Sequence, residues 1–238
     1  MTSVAILAGG LATRIRPLTE KFPKSLIDIN GRPFIDYQLQ MLKANGLSDV
    51  VLCVGYEGRQ IEDHLGDGAR HGLKVRYSYD GRELVGTGGA LRKALPLLSD
   101  PFLVIYGDSY LRADFQAMLT RYQEARTSRT PAPLGLMTVF KNDDRFDKSN
   151  VVFEQGRILK YDKLAALPEM RHIDWGAGIL DHSALAPFQD EPRFDLAKVY
   201  MELVAAGRLV GFEVFERFFE IGSFEGLESF RKLGVTLD

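Results

Sequence analysis

The stretch Leu7–Lys24, LAGGLATRIRPLTEKFPK, closes an apolar strand with a glycine turn and then supplies Arg14, Arg16 and Lys24. Small residues let the backbone approach an anion closely, so that amide N–H groups become donors to phosphate oxygens. The basic side chains behind them can neutralise the charge that builds up during transfer at phosphorus. A Gly-Gly pair alone would mean only a tight β-turn with solvated bases after it. The whole string, placed behind the first strand, points to the phosphates of a nucleoside triphosphate.

Outward from this stretch, apolar runs at Val4–Leu7, Val50–Val54, Val75–Tyr79 and Phe102–Tyr106 carry β-branched or aromatic residues and end in Gly, Asp or both. Amphipathic segments separate them. Pro33 opens one helix after the turn Asn30-Gly31-Arg32, with Phe34, Tyr37, Met41 and Leu42 on one face. A second follows Gly89, with Leu91, Ala94, Leu95 and Leu98 at helical spacing. The alternation predicts an α/β fold: a Rossmann-like, doubly wound, mainly parallel sheet with helices on both faces. Ligands of such sheets bind beyond the carboxyl ends of the strands, where the glycine segment sits.

From about Pro133 the pattern changes. Strands are expected at Gly135–Phe140, Val151–Glu154 and Arg157–Tyr161, with a hairpin turn at Glu154-Gln155-Gly156-Arg157. They are followed by His172–Leu180, a helix near Asp195–Ala206, a strand at Leu209–Phe215 and a last helix from Phe224. The loop-like stretch Thr127–Pro133 is too short to separate independent domains. One domain is therefore expected over residues 1–238, with a nucleotide-binding half at about 1–132 and an acceptor half at about 133–238.

Composition narrows the function classes. Thirty basic against 32 acidic side chains give a net charge of −2, which argues against nucleic acid gripped through its backbone. No apolar run approaches a membrane span, and MTSVAILAGG lacks a basic leader, so a cytoplasmic location is expected. The single cysteine, Cys53, forbids an internal disulfide and reads as an inert core thiol. His64, His71, His172 and His182 show neither metal spacing nor a paired nucleophile. A homo-oligomer stays open. Two familiar phosphate signatures are missing, since Lys24-Ser25 has no glycine loop before it and the opening turn is not G-x-G-x-x-G.

These residues resemble the sugar-1-phosphate nucleotidyltransferase (NDP-sugar pyrophosphorylase) family, whose opening pattern is roughly L-A-G-G-x-G-T-R-L-x-P-L-T, then P-K, then G-x-P. Here it stands as Leu7–Thr19, Pro23-Lys24 and Gly31-Arg32-Pro33. The resemblance continues through Gly86–Leu91, Gly107–Ser109, Tyr161–Lys163 and Phe219–Leu227, and so runs in order along nearly the whole chain. It implies a nucleoside triphosphate and a sugar 1-phosphate as partners, magnesium (Mg2+) as cofactor, and a nucleotide-diphospho-sugar transferase fold. Leu7, Ala8, Gly9, Gly10 and Thr13 would wrap the triphosphate, Arg14 would hold the departing phosphates, and Lys24 would stabilise charge at the α-phosphorus. Ala12 stands where the family has glycine, a strained choice if that position needs a positive φ.

In the loop before the second helix, Gly86, Thr87 and Gly88 would read the base, with Glu83 accepting its N–H groups. Guanine offers a carboxylate two adjacent donors, which favours GTP over UTP. Asp108, at a strand end, and Glu220, in place of the family's usual aspartate, are the expected metal ligands. Asp162, Lys163, Gly176, Ala177 and Gly178 fall on the sugar-phosphate positions, with Asp162 and Gly176 replacing the family's glutamate and asparagine. Within the family the resemblance is nearest to guanylyltransferases for D-glycero-D-manno-heptose 1-phosphate. Mannose 1-phosphate guanylyltransferase and hexose uridylyl-, thymidylyl- or cytidylyltransferases remain alternatives. A non-catalytic nucleotide-sugar-binding regulatory subunit is the alternative of another class, opposed by the presence of Arg14, Lys24 and Asp108.

Overall fold

The computed structural model describes residues 2–165 and 167–236. Its strands are β1 (Val4–Leu7), β2 (Asp28–Ile29), β3 (Arg32–Pro33), β4 (Asp49–Val54), β5 (Lys74–Tyr79), β6 (Phe102–Tyr106) and β7 (Ser109–Tyr110) in the first half. The second half adds β8 (Gly135–Lys141), β9 (Val151–Glu154), β10 (Arg157–Tyr161), β11 (His172–Leu180), β12 (Leu209–Val214) and β13 (Phe219–Glu220). The helices are α1 (Phe34–Ala44), α2 (Gly58–Leu65), α3 (Gly86–Ala94), α4 (Phe115–Ser128), α5 (Leu196–Ala205) and α6 (Phe224–Lys232). Among the described residues no helix is long and apolar enough to cross a membrane.

Both faces of the central strands are apolar, and that is what makes the sheet doubly wound. Val4 and Ile6, Val50 and Leu52, and Leu103 and Ile105 enter one core with Ile35, Leu39, Ile61 and Met118. Their neighbours Ala5 and Leu7, Val51 and Cys53, and Phe102 and Val104 enter the other, against Leu91, Ala94, Val199 and Leu203. A period of two with both phases hydrophobic requires helices on both sides. A third core joins Ile15, Ile27, Ile29 and Phe34 to Ile221, Leu227 and Phe230, so the opening segment rests on the last helix.

Among the described residues nine strands form one sheet in the order β5-β4-β1-β6-β11-β8-β12-β10-β9. The first four are parallel. Beyond β6 the expected mainly parallel arrangement gives way to a mixed one. β11 is antiparallel to β6 and β8, β10 is antiparallel to β12 and β9, and β12 runs parallel to β8. A bridge from His172 to Val151 adds a β11–β9 pairing that closes five of these strands into a small barrel. Connection length is the cause. A parallel return takes a crossover of about a dozen residues, whereas Gln155 and Gly156, at φ 46° and 77°, turn β9 straight into β10.

Two helices, α2 and α4, were not expected; α4 is capped by Asp114, whose side chain accepts from the Ala117 N–H at 2.9 Å. The helix expected after Gly89 starts three residues earlier, at Gly86. It stops at Ala94, where Pro96 shapes a 3₁₀ turn over Leu95–Leu97.

Candidate active site

A cavity of about 250 Å³ opens at the carboxyl ends of β1, β4, β5 and β6, lined among others by Leu7, Ala8, Gly9, Gly10, Lys24, Asp80, Gly86, Thr87, Asp108 and Arg193. Its floor is backbone. The Ala8 N–H donates to the Cys53 carbonyl at 2.9 Å, and the Gly107 N–H donates to the Leu7 carbonyl at 3.0 Å. Gly9 is closely enclosed: a Cβ there would lie 3.1 Å from the Gly55 nitrogen, which would have to give by a few tenths of an ångström, and 3.4 Å from an Asp80 carboxylate oxygen. Cys53 is buried at this wall, and burial pushes its thiol up to about 12, so it is inert as expected.

Lys24 follows the extended Pro23 and opens a 3₁₀ turn, which aims its ammonium at Asp108 Oδ2, 2.6 Å away. Burial alone would raise the Asp108 carboxyl. The Lys24 ammonium, its hydrogen bond and the Ser109 hydroxyl outweigh burial and hold the group below its usual range. α1 braces the loop around this carboxylate, since Gln38 Nε2 donates to the carbonyls of Tyr106 at 3.0 Å and Ser109 at 2.7 Å. Glu220 arrives from the far end of the chain because β13 pairs with β7, placing it opposite Ser109. A Cβ on Gly222 would lie 2.8 Å from Glu220 Oε2, 3.2 Å from Asp108 Oδ2 and 3.4 Å from Lys24 Nζ. The bare glycine thus leaves a cradle between two carboxylates and an ammonium. Glu220 also accepts from the Gly222 N–H and the Ser223 hydroxyl.

Several expected residues stand elsewhere. Thr13 and Arg14 lie on an exposed 3₁₀ turn outside the cavity wall, after Ala12 at φ 48° and ψ 43°. Alanine therefore does occupy a left-handed position. Glu83 is exposed and outside the wall. The carboxylate in the wall is Asp80, 6% exposed, at the end of β5. Burial raises its pKa, against the Val85 N–H and Lys93, which lower it. Its signal was present in the sequence: it follows an apolar strand, as Asp108 follows β6. Gly88 is not free to read a base, because its N–H and that of Gly89 donate to the Phe194 carbonyl at 3.0 and 3.3 Å. The first N–H groups of a helix need partners, and here a distant carbonyl supplies one. Thr87 Oγ1 likewise accepts from the Leu196 N–H at 2.8 Å.

On the expected acceptor side, Lys163 lies 3.3 Å from Asp195, and both side chains are 48% exposed. Asp162 Oδ1 accepts the N–H groups of Leu164 and Ala165, which lower its pKa, so this carboxylate shapes the loop. Gly176, at φ 101°, sits where the β11–β8 register shifts, facing Tyr106 and Ser109. Ala177 and Gly178 are interior to the sheet, paired with Ile105 and Val104, and a Cβ on Gly178 would strike the Tyr200 hydroxyl. Trp175 is buried, donating to the Glu216 carbonyl at 2.8 Å. Asp174, beside Tyr106 and Lys163, is pushed up to about 6, chiefly by burial. Asp80 and Arg193 are the residues of this region that the motifs did not single out as site members.

Residues 3–141 match the family model described as nucleotidyl transferase. A Neisseria meningitidis protein named N-acetylmuramate alpha-1-phosphate uridylyltransferase is 44% identical over 113 residues, which is 47% of this chain and 49% of that protein. A Campylobacter jejuni protein named D-glycero-alpha-D-manno-heptose 1-phosphate guanylyltransferase is 33% identical over 197 residues, covering 83% and 84%. The chain spans about half the length of two of the curated relatives it matches. The crystal structure of HddC from Yersinia pseudotuberculosis complexed with GMP-PN superposes with a TM-score of 0.79 at 23% identity, covering 98% of this chain and 99% of that one, and shows the same fold.

Proposed function

The chain belongs to the nucleotidyl transferase family, and from that premise we propose that it condenses a nucleoside triphosphate with a sugar 1-phosphate, releasing pyrophosphate. The observation that carries this reading is the Lys24–Asp108 pair, set in the same cavity wall as the Leu7–Gly10 backbone and Gly86-Thr87. A phosphate oxygen of the sugar 1-phosphate attacks the α-phosphorus in line, the bond to the β-phosphate oxygen breaks, and pyrophosphate leaves. The attacking oxygen is already anionic, so no general base is needed. Positioning and charge neutralisation supply the catalysis.

In this reading the Gly9 and Gly10 backbone seats the phosphates and Lys24 meets the charge at the α-phosphorus. Arg14, exposed and without an ion pair among the described residues, swings onto the departing phosphates. Asp108 and Glu220, around the Gly222 cradle, suit magnesium, an oxygen-seeking cation. Among the described residues no three His, Cys, Asp or Glu side chains converge, so substrate phosphates and water would complete its coordination. When bound, it would offset charge on the triphosphate. Arg193 and Lys163 are the cations for the acceptor phosphate, Lys163 exchanging Asp195 for it.

For the base we infer guanine, read by Asp80, whose buried carboxylate can accept its adjacent N1–H and N2–H donors; uracil offers one N–H between two carbonyls. For the acceptor, the heptose 1-phosphate named for the Campylobacter relative is preferred, because that alignment runs along most of both chains. Transfer from UTP is the second reading, favoured by the higher identity over the shorter alignment. Pyrophosphate release from each nucleoside triphosphate against a panel of sugar 1-phosphates decides between them. Asp80→Asn is expected to abolish the preference for GTP, and Glu83→Gln to leave it intact. No release with any pair would overturn the activity itself.

A further inference from the structure

A second groove, of about 500 Å³, runs along the outer side of α1 and shares no lining residue with the nucleotide cavity. Arg32 of β3, Asp36, Gln40 and Lys43 of α1, His64 of α2, and Arg70 and His71 of the 3₁₀ turn Ala69–His71 face it. The charges are unbalanced. Asp36 is buried and already engaged by His64 Nε2 at 2.8 Å, with His71 Nε2 3.8 Å away. Among the described residues none of Arg32, Lys43 and Arg70 has a carboxylate partner. Lys43 lies over Gly72, where a Cβ would come within 2.8 Å of its Nζ, so the bare glycine at φ 69° lets the ammonium stay at the groove. Arg70 Nε donates to His71 Nε2 at 3.0 Å.

We propose that this groove binds a compact anion of two or more negative charges, inorganic phosphate or pyrophosphate or the phosphate group of a small ester. Three cations around one committed carboxylate repel one another, and a phosphate group is the ligand that turns this repulsion into attraction. A cation fits less well, because Arg70 occupies the Nε2 lone pair of His71 that a metal would need. His71 shows the crowding: burial lowers its pKa, and Arg70, His64 and Lys43 lower it further against the pull of Asp36. Anion binding therefore tightens as pH falls and His71 takes up a proton.

The chain has four histidines, so imidazole NMR resolves the groove from the rest of the molecule. Titration of the intact protein with pyrophosphate, inorganic phosphate and glucose 6-phosphate in separate arms is expected to shift His64 and His71 saturably, leaving His172 and His182 in place. The arm with the lowest midpoint tells an inorganic ligand from an ester. Arg70→Glu, and independently Arg32→Glu, should raise that midpoint about tenfold or more while turnover without added anion stays at the parent level. Absence of a saturable response at His64 and His71 in all three arms overturns the proposal. So does an equal response at all four histidines, or an unchanged midpoint in whichever charge-reversed protein retains the parent's circular dichroism. None of these outcomes bears on nucleotidyl transfer, which is scored by pyrophosphate release.

Discussion

Two lysine–aspartate pairs stand on the two sides of this enzyme fold, and they differ in every physical respect but their chemistry. Lys24 and Asp108 are 2.6 Å apart with side chains 19% and 26% exposed; Lys163 and Asp195 are 3.3 Å apart and half in solvent. The first pair is braced by Gln38 behind Asp108 and by the Gly222 cradle. The second joins an exposed loop to the start of α5, where Asp195 also accepts from the Ala197 N–H. A screened pair has little reorganisation left to do when charge develops beside it. An exposed pair is worth about 0–1 kcal/mol and is easily exchanged for a phosphate. In the proposed function the nucleotide side is therefore preorganised, and the acceptor side is adaptable.

Removing Lys24 breaks the tighter pair and carries the largest expected effect. Lys24→Ala should lower kcat about 100- to 1,000-fold in the pyrophosphate-release assay, the cost typical of losing one preorganised donor. Turnover within a few-fold of the parent would refute the role given to it. Lys163→Ala should act on the other side of the comparison, raising KM for the sugar 1-phosphate about tenfold or more with kcat and thermal stability nearly unchanged. A fall in kcat at unchanged KM would instead make the acceptor side as preorganised as the nucleotide side.

A pH experiment sharpens the same contrast. Asp108 sits below the ordinary value of 3.8, so its contribution to stability is present above that value and is lost as pH falls through its folded pKa. Asp174, raised to about 6, runs the other way: its contribution is present below 3.8 and is lost as pH rises through about 6. Denaturation of Asp174→Asn between pH 4 and pH 7 (about the window of this shift) should therefore lack part of the parent's decline. An unchanged slope would mean that Asp174 is solvated in the folded protein. The smallest effect is expected at Ala12. Its φ of 48° is a left-handed conformation, and Ala12→Gly should raise stability by at most about 1 kcal/mol. A destabilised variant would show that the alanine methyl packs productively against the third core.

Local signals carried far in this chain. Strands β1, β6, β9, β10 and β11 fall on the segments read from apolar runs, and the Gln155-Gly156 turn follows from its residue types. These features depend on neighbours a few positions away, so a one-dimensional reading reaches them. α2 was hidden because its buried positions are few, Gly58, Ile61 and Leu65. That Asp80 and not Glu83 lines the cavity was hidden for another reason. Both are carboxylates in one loop, and burial at a strand end, which distinguishes them, belongs to the packed sheet.

Periodicity and glycine placement alone made this an α/β protein with a glycine turn behind its first strand, because each rests on local sterics and hydrophobic phase. What brings the groups together is long-range pairing. β13 on β7 sets Glu220 beside Asp108, and the Phe194 carbonyl takes the N–H groups of Gly88 and Gly89. α1, α2 and the turn after α2 gather Arg32, Lys43, His64, Arg70 and His71 around one groove. Such contacts join residues tens to hundreds of positions apart, and no local preference specifies them until the sheet order is set and the three cores close.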